Sequence, residues 1–143
     1  MTRHHTKDKG DLGVAKAYAD LVAKGYQVLF PATEHAPFDL VTYRDGDFCR
    51  VQVKYRTART GKLRVVFVSV WNDRHGTHTK PIDKDGIDIV CIHCPETDEC
   101  YYLRPADFRG SVTLRVTASR NGQQVGVLNA SEFRHLPESA GDV

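Results

Sequence analysis

No hydrophobic run long enough to cross a membrane occurs in this sequence. None of its 143 residues lies in an apolar stretch approaching the ~20 residues that a membrane span requires. Internal repeats and low-complexity segments are also missing, and with 41% hydrophobic and 27% charged residues the composition excludes a largely disordered or fibrous protein. Cysteine is scarce, and no apolar segment follows the charged N-terminal residues to form a secretory signal. We therefore expect a cytoplasmic protein whose four cysteines are reduced thiols.

The length of the chain is that of one domain and is too short for two domains with separate cores. A chain of this length buries roughly 68–70% of its unfolded surface on folding, so it needs neither disulfides nor structural metals. We expect a single domain over residues 1–143, with flexible ends at residues 1–6 and 137–143.

Acidic residues are missing from a long central part of the sequence. The net charge is only +2, but residues 1–72 hold 12 Lys and Arg against 7 Asp and Glu, while residues 73–143 hold 8 against 11. This uneven charge favours a polyanionic partner, because Lys and Arg that neutralise phosphates release condensed counterions. A solvated basic face is the alternative. Residues 48–71 contain no acid and carry the cations Arg50, Lys54, Arg56, Arg59, Lys62 and Arg64.

Residues 9–24 have the apolar spacing of an amphipathic helix. Asp8 or Asp11 lies where a carboxylate meets the free N–H groups of the first turn, and Gly25 is a C-terminal stop. The residues predicted to face the core are Leu12, Ala15, Ala19 and Val22, widened by Val14, Tyr18 and Leu21.

The rest of the chain alternates short strand patterns with turns. Asp45-Gly46 is typical of a tight hairpin turn, and the β-branched run at residues 63–70 is expected to be one strand buried on both faces. The polar segment 71–86 is expected to be a long functional or mobile loop. Further strands are predicted at residues 26–30, 38–43, 48–56, 87–93, 100–103 and 111–118, a turn at 120–123, and a short helix capped by Asn129 at 129–135. This pattern predicts one mixed α/β (or α+β) domain.

Three polar residues of the first predicted hairpin carry the candidate chemistry. Gln52 and Lys54 lie two positions apart on one strand, so both project from the same face, and Asp39 lies near the start of the neighbouring strand. A carboxylate and an amide oxygen suit Mg²⁺ (or Mn²⁺), which lowers the pKa of a bound water. Lys54 would position that water or stabilise the oxyanion. The triplet thus predicts phosphodiester hydrolysis; a surface Gln and Lys beside a structural Asp is the alternative.

Four segments occur in an order that is typical of a known family. They are Lys9-Gly10-Asp11-Leu12-Gly13, Gly25-Tyr26-Gln27-Val28, Pro37-Phe38-Asp39-Leu40 and Arg50-Val51-Gln52-Val53-Lys54. Together they resemble the PD-(D/E)XK nuclease superfamily, most closely its group I intron-associated homing endonucleases, which write (D/E)xK as QxK. The archaeal-type Holliday junction resolvases are more distantly similar.

The resemblance implies a single restriction-endonuclease-like domain with a central mixed sheet, an N-terminal helix and a short C-terminal helix. It also implies that Asp39 binds the metal, that Gln52 replaces the usual acidic ligand, and that Lys54 is the catalytic lysine. In that branch a glutamate after the second glycine of the first helix completes the metal site, but Val14 stands here. Asp11, three residues earlier, is the candidate replacement. Without it the site has one certain carboxylate, which also allows a weakened nuclease.

Basic and histidine residues outside the triplet are predicted to contact DNA phosphates. For the His75-x2-His78 pair, phosphate contact is preferred to metal ligation. Tyr55 and Trp71 either stack on bases or pack within the protein. The predicted DNA-binding residues are Lys7, Lys9, Arg56, Arg59, Lys62, Arg74, His75, His78 and Lys80.

A second candidate metal site contains Cys91, Cys94 and Cys100 with His93. The C-x2-C spacing suits zinc, but on a strand a separation of three residues places Cys91 and Cys94 on opposite faces. Buried reduced cysteines are the preferred interpretation, and a zinc site is the alternative.

These features lead to three candidate functions. The first is a divalent-metal-dependent DNA endonuclease of the homing type, acting as a homodimer or homotetramer, because one chain supplies one site for two DNA strands. The second is a junction-resolving or repair nuclease that recognises DNA structure. The third is a DNA-binding module that keeps the fold without cleavage, and an unrelated small α/β protein remains an alternative.

Overall fold

The N-terminal part of the chain folds as the long helix α1, His5–Ala23. A computed structural model describes residues 5–117 and 127–138, with the side chains of residues 5–7, 69 and 70 left out. The helix begins four residues before the predicted position and has Asp8 in its first turn, where a carboxylate stabilises the helix dipole. Gly25 follows it with φ of +93°, as expected of a glycine that ends a helix.

The prediction of the buried face of α1 was wrong except at Leu21. Gly13, Ala17 and Leu21 are buried against the sheet, whereas Leu12 and Val22 are 43% and 48% exposed. Small side chains at a spacing of four let the helix lie close to the strands, so the buried stripe is narrower than the apolar one. The helix therefore keeps an exposed apolar side.

Nine strands lie within the described residues. The prediction of a hairpin at Asp45-Gly46 is confirmed: both residues have positive φ, 53° and 87°, as its tight turn requires. The strands predicted at residues 87–93 and 100–103 are confirmed as well, and they pair as a second hairpin. In chain order the strands are β1 (Gln27–Leu29), β2 (Leu40–Arg44), β3 (Asp47–Tyr55), β4 (Lys62–Val66), β5 (Val68–Asp73), β6 (Gly76–Pro81), β7 (Ile89–Cys94), β8 (Glu99–Leu103) and β9 (Ser111–Arg115).

A five-stranded mixed sheet forms the centre of the molecule, in the order β1-β2-β3-β7-β8. Its pairs are antiparallel except β3 with β7, which run parallel. Arg50 and Asp88 hold this parallel pair in register through two side-chain hydrogen bonds of 3.0 Å and a 2.7 Å bond from the Arg50 N–H to the carboxylate. The predicted mixed sheet and α+β class are confirmed.

Two short antiparallel ribbons, β4 with β9 and β5 with β6, replace two predicted elements. The single strand expected at residues 63–70 is wrong, because the chain changes partner at Phe67, whose N–H donates to Gly110 at 3.0 Å and whose carbonyl accepts from Ile82 at 3.1 Å. The loop expected at residues 71–86 is also wrong, since residues 71–81 belong to the β5–β6 hairpin. Strand β4 alternates buried and exposed residues instead of being buried on both faces.

Separate hydrophobic cores fill the two faces of the central sheet. The first lies beneath α1 and includes Ala17, Leu21 and Val51. The second lies between the sheet and the β4–β9 ribbon and includes Leu63 and Ile92. Both faces of β3 and β7 are therefore buried. Because side chains alternate along a strand, successive residues lie in different cores.

The C-terminal helix is shorter and tighter than predicted. A 3-10 helix, Ala130–Phe133, takes the place of the α-helix expected at residues 129–135, and the Asn129 side chain makes no capping hydrogen bond. A second 3-10 helix covers Pro105–Asp107. The predicted turn at residues 120–123 lies outside the described residues, as do residues 1–4 and 139–143 of the expected flexible ends. No helix of the described part is long and apolar enough to span a membrane.

Candidate active site

Asp39 lies immediately before β2, where it is held against β3 by main-chain hydrogen bonds. Its N–H donates to the Val51 carbonyl at 2.8 Å. Its carboxylate Oδ2 accepts the Val53 N–H at 2.7 Å. Continuing the β2–β3 register by one residue beyond the Leu40–Val51 pair sets Asp39 opposite Gln52. The local pairing thus brings the predicted carboxylate to the predicted amide.

Gln52 and Lys54 project from the face of β3 that is turned away from α1. Val51 and Val53, which alternate with them, pack in the core beneath the helix. On the parallel neighbour, Gln52 pairs with Val90 and Lys54 with Ile92, both in the core on the ribbon side of the sheet. The two polar side chains therefore point into the region between the sheet and the ribbons.

The Gln52 amide is only half satisfied. Its Nε2 donates a long hydrogen bond, 3.4 Å, to the Pro37 carbonyl. Its Oε1 is buried and has no hydrogen-bond partner. An unpaired buried acceptor costs about 1–3 kcal/mol of stability, so such atoms are rare where they serve only folding.

Lys54 is almost fully buried, with 8% of its surface exposed. Its Nζ donates a 2.9 Å hydrogen bond to the carbonyl of Val68, the first residue of β5. The pKa of the ammonium is lowered to about 8, mainly by burial and also by the charge of Arg56, while the charge of Asp39 opposes the shift. No sequence pattern predicts the Val68 contact, because every residue type carries the same main-chain carbonyl.

The Asp39 carboxyl is open to solvent but lies close enough to protein atoms to lose part of its hydration. This desolvation raises its pKa above the ordinary value, while the Val53 N–H and the charge of Lys54 act in the opposite direction. Each charge of the Asp39–Lys54 pair therefore favours the ionised form of the other.

The donor atoms here fit a divalent metal ion. An accessible carboxylate next to a buried amide oxygen without a partner supplies oxygen ligands, and Mg²⁺ uses one or two carboxylates while keeping several waters. Asp11 lies on the exposed side of α1. Among the described residues, no three His, Cys, Asp or Glu side chains come close enough to hold a metal together. The role of Asp11 stays a prediction.

Basic residues predicted to contact DNA extend from the end of β3. Arg56 is half-buried, and its Nη1 donates to the Tyr55 carbonyl at 2.8 Å. Arg59 and Lys62 close a tight turn through reciprocal main-chain bonds of 2.8 and 3.0 Å, which leaves the Arg59 side chain exposed. Lys9 lies 6.0 Å from the Tyr55 ring centre. The Lys7 side chain is outside the described residues.

The other predicted DNA contacts lie on the β5–β6 hairpin. Trp71 stacks on its cross-strand partner His78 with ring centres 5.3 Å apart, and Lys80 lies 5.8 Å from the indole. His78 Nε2 is 2.9 Å from the Asp73 carboxylate. At the tip, the Arg74 Nε donates to His75 Nε2 at 3.2 Å. These residues therefore form one exposed ribbon rather than a loop.

The cysteines do not form the considered zinc site. Cys91 packs in the core beneath α1 and Cys94 in the core on the other face, so one ion does not reach both thiols. Cys100 lies with Cys91, and its Sγ is 3.9 Å from His93 Nδ1. These three buried cysteines and the half-buried Cys49 are free thiols, as the preferred interpretation predicted.

Comparisons with known proteins agree with this arrangement. A family model described as PD-(D/E)XK endonuclease matches residues 4–136. The fold is similar to that of a bacterial homing endonuclease, I-Ssp6803I, with a TM-score of 0.70 over 90% of this chain and 88% of that one. The sequence identity is 22%, so this likeness concerns the fold. No curated protein sequence gave a significant match.

Proposed function

Because the chain belongs to the PD-(D/E)XK endonuclease family, we propose that it hydrolyses DNA phosphodiester bonds with a divalent metal, Mg²⁺ or Mn²⁺. The observation that carries this proposal is the Gln52 Oε1, which is buried without a partner on the strand whose Val53 N–H donates to the Asp39 carboxylate. A bound metal ion would satisfy this oxygen. We place the activity in the cytoplasm, where free thiols persist.

Each residue of the triplet has a separate task in the proposed reaction. Asp39 and Gln52 would hold the ion, and the Val53 N–H fixes the carboxylate that does so. A bound divalent ion neutralises phosphate charge and lowers the pKa of its water. Lys54, as a buried ammonium, would donate to a phosphate oxygen as negative charge develops, where low hydration makes the interaction strong.

Cleavage of supercoiled plasmid tests the proposal. We expect Mg²⁺ or Mn²⁺ to support nicking, a chelator to abolish it, and Lys54→Ala to lower the rate by at least about 100-fold, the effect typical of one lost charge-stabilising donor. Lys84→Ala is the matched control, because Lys84 also donates to a main-chain carbonyl, that of Phe108 at 2.9 Å, away from the triplet. Cleavage that survives in Lys54→Ala would contradict the assignment.

We propose a linear DNA duplex as the substrate. The likeness to a homing endonuclease favours a linear duplex with a specific sequence. The alternative is a junction-resolving or repair nuclease, so four-way junctions and linear duplexes are to be compared at equal protein concentration. Preferential cleavage of junctions would favour the alternative.

A non-cleaving DNA-binding module is the second candidate function. Two observations favour it: Val14 stands where the related branch has a glutamate, and no three-ligand group of His, Cys, Asp or Glu occurs among the described residues. Metal-independent DNA binding without cleavage of plasmid, duplex or junction would support it.

A further inference from the structure

A cavity of about 310 Å³ lies at the end of the β4–β9 ribbon. It is polar along much of its wall, with the side chains of Tyr101, Arg115, Thr117, Asn129, Ser131 and Arg134 among those lining it. Arg115 is the last residue of β9, and Asn129 forms a bridge with it. The cavity is separate from the Asp39–Gln52–Lys54 triplet and contains none of its residues.

Two arginines of this cavity have unsatisfied donors. Three buried side-chain nitrogen or oxygen atoms lack a hydrogen-bond partner in the described part of the chain, and one is the Gln52 Oε1. The other two are the Arg115 Nη1 and the Arg134 Nε, both on residues that line the cavity. Unpaired guanidinium donors are costly to bury, so this pair is suited to an anion that accepts from both.

The charges around the cavity favour an anion. The Arg134 Nη2 forms an ion pair with the Glu99 carboxylate. Arg115 has no carboxylate partner among the described ion pairs. Lys62 lies opposite Arg115 in the strand register and adds a further cation. The Tyr101 hydroxyl donates to Thr97 at 2.9 Å and carries no charge. The net charge of these groups is positive.

The cavity continues into a basic ribbon surface. Leu63, Val65 and Leu114 point into the core, so the residues between them point outward. The outward residues Lys62 and Arg64 are exposed and face Arg115 and Thr113 on β9. No acid interrupts this face, because β4 and β9 contain none.

The ribbon also connects the cavity to the triplet. Val66, at the opposite end of β4 from Lys62, is two residues from Val68, whose carbonyl accepts the Lys54 ammonium. Four residue steps of strand lead from Lys62 to Val66, or roughly 13 Å at about 3.3 Å per residue. The cavity and the Lys54 ammonium therefore lie near opposite ends of β4.

We propose that Arg115 and Arg134 form a second phosphate site, which binds a backbone phosphate of the substrate DNA outside the cleaved bond. The identity of the ligand rests on the proposed nuclease function. A phosphodiester presents acceptor oxygens in the geometry that guanidinium groups bind. The ribbon cations Lys62 and Arg64 would contact neighbouring phosphates of the same DNA strand. The site would contribute affinity and register, not chemistry.

The test measures the salt dependence of DNA binding. All variants are made in Lys54→Ala, so that a linear duplex of random sequence stays intact. We expect Arg115→Gln to reduce the slope of log K against log salt by about 0.9, the value for one lost phosphate contact. Arg134→Gln should act similarly, and it carries the test if Arg115→Gln does not fold. An unchanged slope in a folded Arg134→Gln or Arg115→Gln would overturn the proposal.

Arg44→Gln is the matched control. Arg44 carries the same charge but lies at the end of β2, where its guanidinium stacks on Tyr26 at 4.0 Å. We expect its slope to equal that of the parent. A reduction of the slope as large as that in Arg115→Gln would show that loss of any positive charge has this effect, and it would overturn the proposal of a specific phosphate site.

Titration with inorganic phosphate distinguishes the two possible sources of the anion. The readout is the NMR signals of the Arg115 and Arg134 side-chain N–H groups. Shifts on adding phosphate, together with a reduced DNA slope, support a backbone site. Shifts with an unchanged slope would show a site for free phosphate and overturn the assignment to DNA. If the parent binds no DNA, the nuclease proposal fails, whereas the phosphate titration still reports on the cavity.

Discussion

Lys54 has an environment that is unusual for a lysine, because its ammonium is buried without a carboxylate from the described part of the chain bonded to it. It is buried on the ribbon side of the central sheet, and within the described residues its ammonium donates a hydrogen bond to one acceptor, the main-chain carbonyl of Val68. The pKa of the ammonium, lowered mainly by burial, is about 8, which lies within the pH range of ordinary assays. Its charge state is therefore adjustable in experiments without mutation.

We expect kcat/KM for DNA cleavage to fall as pH rises through about 8. The protonated ammonium is the form that stabilises phosphate charge, and kcat/KM reports the titration of the free enzyme. Above that pH, each further unit should lower kcat/KM roughly tenfold. Rates measured under single-turnover conditions between neutral and alkaline pH check this. In Lys54→Arg, whose cation does not titrate in this range, the decline should disappear; an identical decline there would contradict the assignment.

The same pKa shift has the opposite effect on stability. Below about pH 8 the folded protein carries a buried charge that the unfolded chain keeps in water, so this group is destabilising there. Between about 8 and the ordinary value of 10.5 the unfolded state binds more protons, and the contribution of Lys54 to the free energy of unfolding rises with pH. Activity and stability therefore diverge over this window.

Helix α1 shows how close packing depends on its smallest residues. Gly13 faces the sheet, and a Cβ built on it would lie 3.5 Å from Val53 Cγ1 and 3.6 Å from Tyr55 Cβ, which are ordinary contact distances. Ala17 and Leu21 continue the same buried face. The position thus has room for one methyl group.

We expect Gly13→Ala to raise the free energy of unfolding by about 0.5–1 kcal/mol, because alanine loses less backbone entropy in a helix than glycine does. Urea denaturation measures the change. Gly10→Ala is the matched control, as its Cβ meets nothing within 4 Å, and it should gain a similar amount. Gly61→Ala should instead destabilise, since Gly61 has φ of +74° and its Cβ would lie 2.1 Å from the Thr117 hydroxyl oxygen. A loss of stability in Gly13→Ala would contradict this account.

The ribbons illustrate where local patterns stop being informative. The run around Phe67 reads as one strand, because β-branched and apolar residues continue on both sides of it. Phe67 is nevertheless buried, and its main chain bonds to Gly110 on one side and Ile82 on the other. These partners are distant in sequence, so the break between β4 and β5 arises from tertiary hydrogen bonding.

We expect the active protein to be a homodimer or homotetramer. One chain supplies one Asp39–Gln52–Lys54 triplet, whereas a duplex has two strands, and a symmetric assembly provides a site for each. Sedimentation equilibrium should give at least twice the chain mass of 16.1 kDa, alone or with bound duplex. A monomer in both conditions that makes only single-strand nicks would contradict this expectation.

Much of the architecture could be predicted from the sequence, and the reasons differ between its parts. Asp45-Gly46 and the alternation of Val51 with Gln52 are local signals, so the β2–β3 hairpin and the common face of Gln52 and Lys54 followed from them. The buried face of α1 did not, because it depends on how near the sheet lies. The position of Arg115 and Arg134 at one cavity did not follow from local signals either, since residues from separate segments line it only after folding.

The parallel pairing of β3 with β7 requires a long crossover, in which sequence changes need not disturb the central sheet. Both ribbon hairpin strands β5 and β6, and strand β4, belong to the crossover that joins these two neighbours. The register of the pair is set by Arg50 within β3 and by Asp88, the last residue before β7. The Lys54 ammonium donates to the main-chain carbonyl of residue 68, which every residue type supplies. Substitutions in the crossover that keep its main-chain path would therefore leave the proposed triplet aligned, so this segment tolerates sequence change without displacing Asp39, Gln52 or Lys54.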